Sequence, residues 1–214
     1  MSTLDDISAL LQKGRANEVK ANVQKALDEG ISAKSILEDG LMAGMNIIGG
    51  KFKRNEVYVP EVLIAARAMN AGLEPLKPHL ASAGVKAKGV VVIGTVKGDL
   101  HDIGKNLVKM MMEGAGLEVH DLGVDVATDK FAAAAKEHHA DIICCSALLT
   151  TTMTEMKNVV ESVKGSGIRD KVRIMVGGAP ITDSFCKSIG ADIYTADAAS
   201  AAEAAVAACL QKSA

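Results

Sequence analysis

The stretch Val90-Val91-Val92-Ile93-Gly94-Thr95-Val96-Lys97-Gly98-Asp99-Leu100-His101-Asp102-Ile103-Gly104 decides the fold. Its first residues form a short apolar, β-branched run, which reads as a strand covered on both faces. Gly104 then opens the next helical segment, so Asp99 and His101 are expected in the loop that leaves the strand. The pattern recurs downstream. Apolar runs at 90 to 94, 118 to 122, 141 to 146, 173 to 176 and 192 to 194 alternate with helical stretches near 103 to 114, 128 to 138, 151 to 165, 183 to 189 and 197 to 211. Five strand-helix repeats predict an α/β domain built on a doubly wound, five-stranded parallel sheet of the flavodoxin-like (Rossmann-type) kind.

Upstream, residues 3 to about 79 follow a helical period instead. Thr3 with Asp6 reads as a capping box before Leu4, Ile7 and Leu11, and Val19, Val23 and Leu27 mark a second stripe stopped by Gly30. Ser32 caps a third helix carrying Ile36, Leu37, Leu41, Met45 and Ile48, in which Gly40 and Gly44 allow a neighbour to approach and Gly49-Gly50 end the run. Pro60 suits the first position of a fourth helix through Leu63, Ile64 and Met69. The reading is an N-terminal four-helix bundle. Between 81 and 88 the apolar period is lost, which predicts a linker and domains at 1–86 and 87–214.

Composition narrows the function. The chain has 214 residues, 49% apolar and 23% charged, with a net charge of −2 and only three Phe and two Tyr as aromatics. Neither a basic stripe nor stacking platforms are present, so nucleic acid is not expected as a partner. No apolar run nears the roughly 20 residues that cross a bilayer, and residues 1 to 6 carry no basic leader. No membrane partner and a cytoplasmic location are expected. Cys144, Cys145, Cys186 and Cys209 lack zinc-site spacing and read as reduced core thiols.

Three fragments fall at the carboxyl ends of three strands: Asp99-Leu100-His101-Asp102-Ile103-Gly104, Ser146-Ala147-Leu148 and Gly177-Gly178. Loops at that edge of a parallel sheet converge on one crevice. A phosphate loop is excluded, because five residues rather than four separate Gly98 from Gly104, and Asn106 stands where Ser or Thr would hold magnesium. No Gly-x-Ser-x-Gly surrounds Ser146, so a hydrolase elbow is not predicted.

With 105 to 145 between the first two fragments and 149 to 176 between the last two, the set resembles the corrinoid-binding proteins. Their pattern is Asp-x-His-x-x-Gly, then Ser-x-Leu, then Gly-Gly at these spacings. The resemblance implies cobalamin or another corrinoid as cofactor, with His101 as the lower cobalt ligand through Nε2. Imidazole suits cobalt, and a ligating histidine usually gives its other ring proton to a carboxylate. Asp99 is the expected receiver and Ser146 the next link, a His-Asp-Ser relay that follows the cobalt state. The cofactor's own benzimidazole base is then displaced and its nucleotide tail enters a slot beside the sheet. Gly104, Gly177 and Gly178 leave it room, and Thr150 offers a second hydroxyl. Gly98, Asp102, Ile103 and Leu148 are expected contacts, with Tyr194 and Ala196 closing the slot.

The helical half adds to the likeness. Met45-Asn46-Ile47-Ile48-Gly49-Gly50-Lys51-Phe52 and Glu56-Val57-Tyr58-Val59-Pro60-Glu61-Val62-Leu63 resemble the helical cap of methyl-transferring corrinoid proteins. Phe52, Tyr58, Val59 and Met69 are candidates to cover the upper cobalt face, and the 81 to 88 linker would be the hinge. The resemblance implies a corrinoid methyl carrier, inactive alone. It takes a methyl group on Co(I) through a substrate-specific methyltransferase and passes it from methyl-Co(III) to tetrahydrofolate or coenzyme M through a second one. A reductive activator rescues Co(II). Methoxylated aromatics and methylamines are the favoured donors. Two rivals share the cofactor pattern: the small subunit of an adenosylcobalamin mutase, which usually lacks the cap, and a B12-dependent sensor, which needs a DNA-binding module that is not expected before Thr3 or after Ala214.

Overall fold

Ser2 accepts a hydrogen bond from the Asp5 amide while the Asp5 carboxylate accepts one from the Ser2 amide, and this capping box starts the first helix. The expected pair was one residue later. Thr3 lies inside the helix and sends its hydroxyl to Glu29 instead. The computed structural model describes residues 2–212. They divide into two units, one running to Ala87 and including Gly114–Gly116, the other formed by Lys88–Glu113 and the chain from Leu117 onward.

The first unit contains α1 (Thr3–Gln12), α2 (Ala16–Asp28), α3 (Ala33–Ser35), a π-helical segment (Ile36–Met42), α4 (Ala43–Lys53) and α5 (Val59–Ser82). Ser32 caps α3 through the Ser35 amide, and the chain then stays helical without a break to Lys53. Gly49-Gly50 therefore do not end it. The stop is Asn55 at φ 57, with the Asn55 amide bonded to Phe52 O and the Glu56 amide to Lys51 O. This is a Schellman closure with asparagine in the left-handed position. Pro60 is the second residue of α5, where its missing N–H is still harmless. Ile7, Leu11, Val19, Val23, Ile36, Leu41, Met45, Ile48, Met69 and Leu76 make the core. Close packing needs glycine at Gly44, where a Cβ would stand 3.0 Å from Ser8 O, and at Gly72, where it would stand 2.7 Å from Leu41 Cδ2.

The second unit is the α/β sheet. Its strands are β1 (Val90–Thr95), β2 (Glu118–Asp121), β3 (Ile142–Ser146), β4 (Arg173–Gly177) and β5 (Ile193–Tyr194), all parallel in the order β2-β1-β3-β4-β5. Between them run α6 (Ile103–Gly114), α7 (Thr128–Glu137), α8 (Glu155–Gly165) and α9 (Asp183–Ile189), and α10 (Ala198–Lys212) follows β5. Val91, Val92, Ile142, Ile143, Ile174 and Val176 are shielded on both faces of the sheet, each contributing on the order of 1.5–3 kcal/mol. α8 starts four residues later than its apolar period suggests. Three successive threonines, Thr150 to Thr152, favour a turn there over a helix.

Register fixes the functional edge. Thr95 pairs with Ser146 and Ser146 with Gly177, so the carboxyl ends of β1, β3 and β4 lie side by side. All four cysteines are buried and none forms a disulfide among the described residues. Burial pushes the Cys145 thiol up to about 12 and raises Cys144 well above its ordinary value. Among the described residues no helix is long and apolar enough to cross a membrane.

Candidate cofactor site

The β1–α6 loop carries Asp99, which is fully buried, beside His101, whose side chain is half exposed. Oδ1 of Asp99 accepts from the His101 amide at 3.0 Å and meets His101 Nδ1 at 2.7 Å. Oδ2 accepts from the Leu148 amide at 2.8 Å, the Leu149 amide at 3.3 Å and the Thr152 hydroxyl at 2.7 Å. Burial alone would raise this carboxyl. The bonds from Thr152, the His101 and Leu148 amides and the imidazole outweigh burial and hold it well below the usual carboxylate range.

That ionised carboxylate accepts only, so Nδ1 must carry the ring proton. In the neutral ring the lone pair is therefore on Nε2, on a side chain that is half exposed, with the second nitrogen pinned as in metal-ligating histidines.

The relay is not the expected one. Ser146 makes no side-chain hydrogen bond to Asp99; Thr152, six residues later, supplies the hydroxyl. Thr152 Oγ1 also lies 3.0 Å from Leu149 O, but its single proton goes to the closer, charged oxygen. The physical reason is the loop. Ser146 ends β3 in register with Thr95, whereas the turn at 150 to 154 folds Thr152 back inside. Thr150, the predicted second hydroxyl, is exposed in the same turn.

Other predicted residues take distinct places. Leu100 (72% exposed), Leu148 (43%) and Leu149 (42%), on the two loops that meet at Asp99, and Ile103 (77%), the first residue of α6, are apolar residues left open. Gly104 and Gly177 face empty space, since a Cβ on either would meet nothing within 4 Å. Gly178 has another job: at φ 137 its Cβ would stand 1.8 Å from Ala147 O, so it serves the backbone of the β3 loop rather than a ligand slot. Gly98, at φ 79, turns the loop. Asp102 bonds Asn106 one turn into α6. Tyr194 ends β5 beside Val176, and Ala196 follows in the exposed turn; neither reaches the Asp99 cluster by a hydrogen bond among the described residues. The sequence reading missed Lys105, buried on α6 and paired with Asp121 at 2.6 Å.

The donor set fits a corrinoid: one imidazole nitrogen for cobalt, open apolar side chains for a macrocycle, and glycine-lined room for a tail. Fold and site together define a cobalamin-binding α/β protein. Comparison with known proteins agrees, because the B12 binding domain families match residues 89–207 and 3–77.

The chain belongs to the corrinoid protein family of methyltransferase systems and binds cobalamin or a related corrinoid. It is 44% identical over 199 residues to the dimethylamine corrinoid protein of Methanosarcina barkeri, covering 92% of this chain and 93% of that one. A corrinoid protein of Desulfitobacterium hafniense (strain Y51) is 40% identical over 208 residues, 96% of each chain. Among solved structures, the methanol:cobalamin methyltransferase complex of Methanosarcina barkeri matches with a TM-score of 0.87 at 30% identity, over 97% of this chain and 80% of that one. A cobalamin-binding protein of Desulfitobacterium hafniense DCB-2 matches with a TM-score of 0.78 at 28% identity, over 94% and 96%.

Proposed function

We propose that this chain is the methyl carrier of a methyltransferase system that demethylates a small methylated amine, with dimethylamine the leading donor. The observation that carries the donor class is 44% identity across 92% of the chain to a dimethylamine corrinoid protein. A substrate-specific methyltransferase would load the carrier, a second would pass the methyl group to tetrahydrofolate or coenzyme M, and a reductive activator would recover oxidised cobalt. A solved methyltransferase–corrinoid protein complex supports such a pairing.

When bound, the corrinoid supplies a cobalt centre able to accept and release a methyl group. The protein's part is positional. His101 would offer Nε2 as lower ligand. Asp99 accepts from Nδ1–H at an N···O distance of 2.7 Å, and Thr152 with the Leu148 amide keeps Asp99 ionised and fixed. Leu100, Ile103, Leu148 and Leu149 are the exposed apolar side chains that would pack against the macrocycle and exclude water from it. Gly104 and Gly177 would leave the tail its path.

Two measurements test the reading. Wild type and His101→Ala are loaded with cobalamin carrying nitrogen-15 in its benzimidazole, and the Co(II) electron paramagnetic resonance spectrum is recorded. Unlabelled-nitrogen splitting in wild type, absent from the variant, is expected; splitting by the labelled base in both would overturn ligation. Methyl transfer is then assayed with methyltransferases specific for dimethylamine, trimethylamine and a methoxylated aromatic. Loading from the aromatic alone would overturn the amine assignment.

A further inference from the structure

Asp125 sits in the β2–α7 loop with left-handed backbone, φ 51. Its amide donates to the Asp99 carbonyl at 3.0 Å, and its Oδ1 accepts from the Gly98 amide at 2.7 Å. One exposed residue thus holds the peptide on both sides of the Gly98–Asp99 step. The surrounding strand ends follow the same path: the Thr95 amide donates to Gly123 O, the Val126 amide to Thr95 O, and Val96 pairs with Val126.

On the other flank the loop is held by a separate set. The Asp99 carboxylate takes Leu148, Leu149 and Thr152, and the buried Thr95 hydroxyl donates to His101 O at 2.8 Å. Those contacts orient Asp99 and His101 only if the main chain beneath them is fixed. Gly98, at φ 79, is its most pliable point. The Asp99 amide reaches no further than Val96 O, at 3.2 Å, so the outer side of this turn depends on Asp125.

We propose that Asp125 is a positioning residue for the cobalt ligand: by clamping Gly98 and Asp99 it sets the stance of the Asp99–His101 pair before the corrinoid arrives. The inference rests on the reading of His101 as lower ligand. Asp125 makes no hydrogen bond to His101 and acts through the loop. Metal sites lose function when such supports loosen by a fraction of an ångström.

Two variants separate the carboxylate from the backbone. Asp125→Gly keeps the left-handed turn and the amide donor but removes Oδ1; Asp125→Asn keeps an acceptor in a residue type that tolerates the same backbone. Amide hydrogen exchange is measured on the unloaded proteins, and the Co(II) spectra on the cobalamin-loaded ones, with wild type and His101→Ala alongside. Asp125→Gly should speed exchange of the Gly98 amide and lower the ratio of imidazole-ligated to unligated cobalt by about tenfold, the low end for outer supports of metal ligands. Asp125→Asn should restore both, with far-ultraviolet dichroism unchanged in either variant. Wild-type protection and wild-type splitting in Asp125→Gly, or an Asp125→Asn protein that behaves like Asp125→Gly, overturns the inference alone. Absence of imidazole splitting in wild type itself overturns the ligand reading and this inference with it.

Discussion

Thr152→Val against Ser146→Ala is the sharpest test of how Asp99 is held. Valine keeps the volume of threonine and removes the hydroxyl that donates to Asp99 Oδ2 at 2.7 Å in a buried setting. A hydrogen bond to an ionised group contributes about 1.5–3 kcal/mol. Oδ2 keeps the Leu148 amide at 2.8 Å and the Leu149 amide at 3.3 Å, so it is not orphaned. The low end follows, about 1.5–2 kcal/mol. In a chain of this size that lowers the melting temperature by about 3–8 °C. Ser146 makes no side-chain hydrogen bond among the described residues, and its truncation to alanine should stay within about 0.5 kcal/mol. Urea and thermal melts of the unloaded proteins, followed by far-ultraviolet dichroism, measure both. Equal losses from the two variants, or a larger loss from Ser146→Ala, would refute the assignment of Thr152 as the hydroxyl of the relay.

Asp121→Asn leaves the Lys105 ammonium, whose side chain is 2% exposed, without a carboxylate partner, held by neutral amide oxygens such as Asn106 Oδ1 at 2.8 Å, and should destabilise by about 3 kcal/mol; Lys105→Met should do less harm, since Asp121 keeps Lys109 and the Gly123 amide. Burial would raise the Asp121 carboxyl, but Lys105 and the Gly123 amide bring it below its ordinary value. Its stabilisation is therefore full above the usual carboxylate range and fades as pH falls through the depressed value, so the gap between wild type and Asp121→Asn in melts should close below about pH 4; a gap constant with pH would contradict the pairing. Gly178→Ala, with its Cβ 1.8 Å from Ala147 O at φ 137, should lose about 3 kcal/mol or more in urea melts. Gly104→Ala and Gly177→Ala should leave the unloaded fold intact, Gly104→Ala even gaining up to about 1 kcal/mol as a helix residue. Both should retain less cobalt per chain after gel filtration, and wild-type retention by both would remove the tail from that space.

Much of this was legible in the sequence because the dominant forces are periodic. The apolar runs place each strand within a residue or two of its observed limits, since a strand shielded on both faces admits little else. Caps were harder. Ser2 and Thr3 both suit an N-cap, and the choice turns on whether Asp5 or Asp6 can reach back. Asn55 competes poorly with Gly49-Gly50 as a stop signal, yet two consecutive glycines stay helical there while asparagine takes the left-handed position. In the irregular turn at 150 to 154 no period says which hydroxyl points inward, so Thr152 carries no signal in the sequence, whereas Ser146 stands out at the end of a clear strand. Asp125 was invisible for a different reason: its contact with Gly98 requires β2 beside β1, and strand order is not written in any local pattern.

That strand order also explains why the histidine rides on the loop after β1 rather than after an edge strand. β1 lies between β2 and β3, and the chain leaves it toward β2 but passes from β3 toward β4. With right-handed crossovers, opposite directions of travel place the following helices on opposite faces of the sheet. Phe131, Val159 and Cys186 of α7, α8 and α9 share one core with Val92, Ile143 and Val176, which puts α6 on the other side. The loops after β1 and β3 therefore part, and a crevice opens between them. Asp99 spans that parting, with Oδ1 on its own loop at His101 and Oδ2 on the β3 loop at Leu148 and Thr152. The β2 loop closes the remaining side through Asp125. A histidine on the loops after the edge strands β2 or β5 would have a neighbour on one side only; after β1 it is held from both.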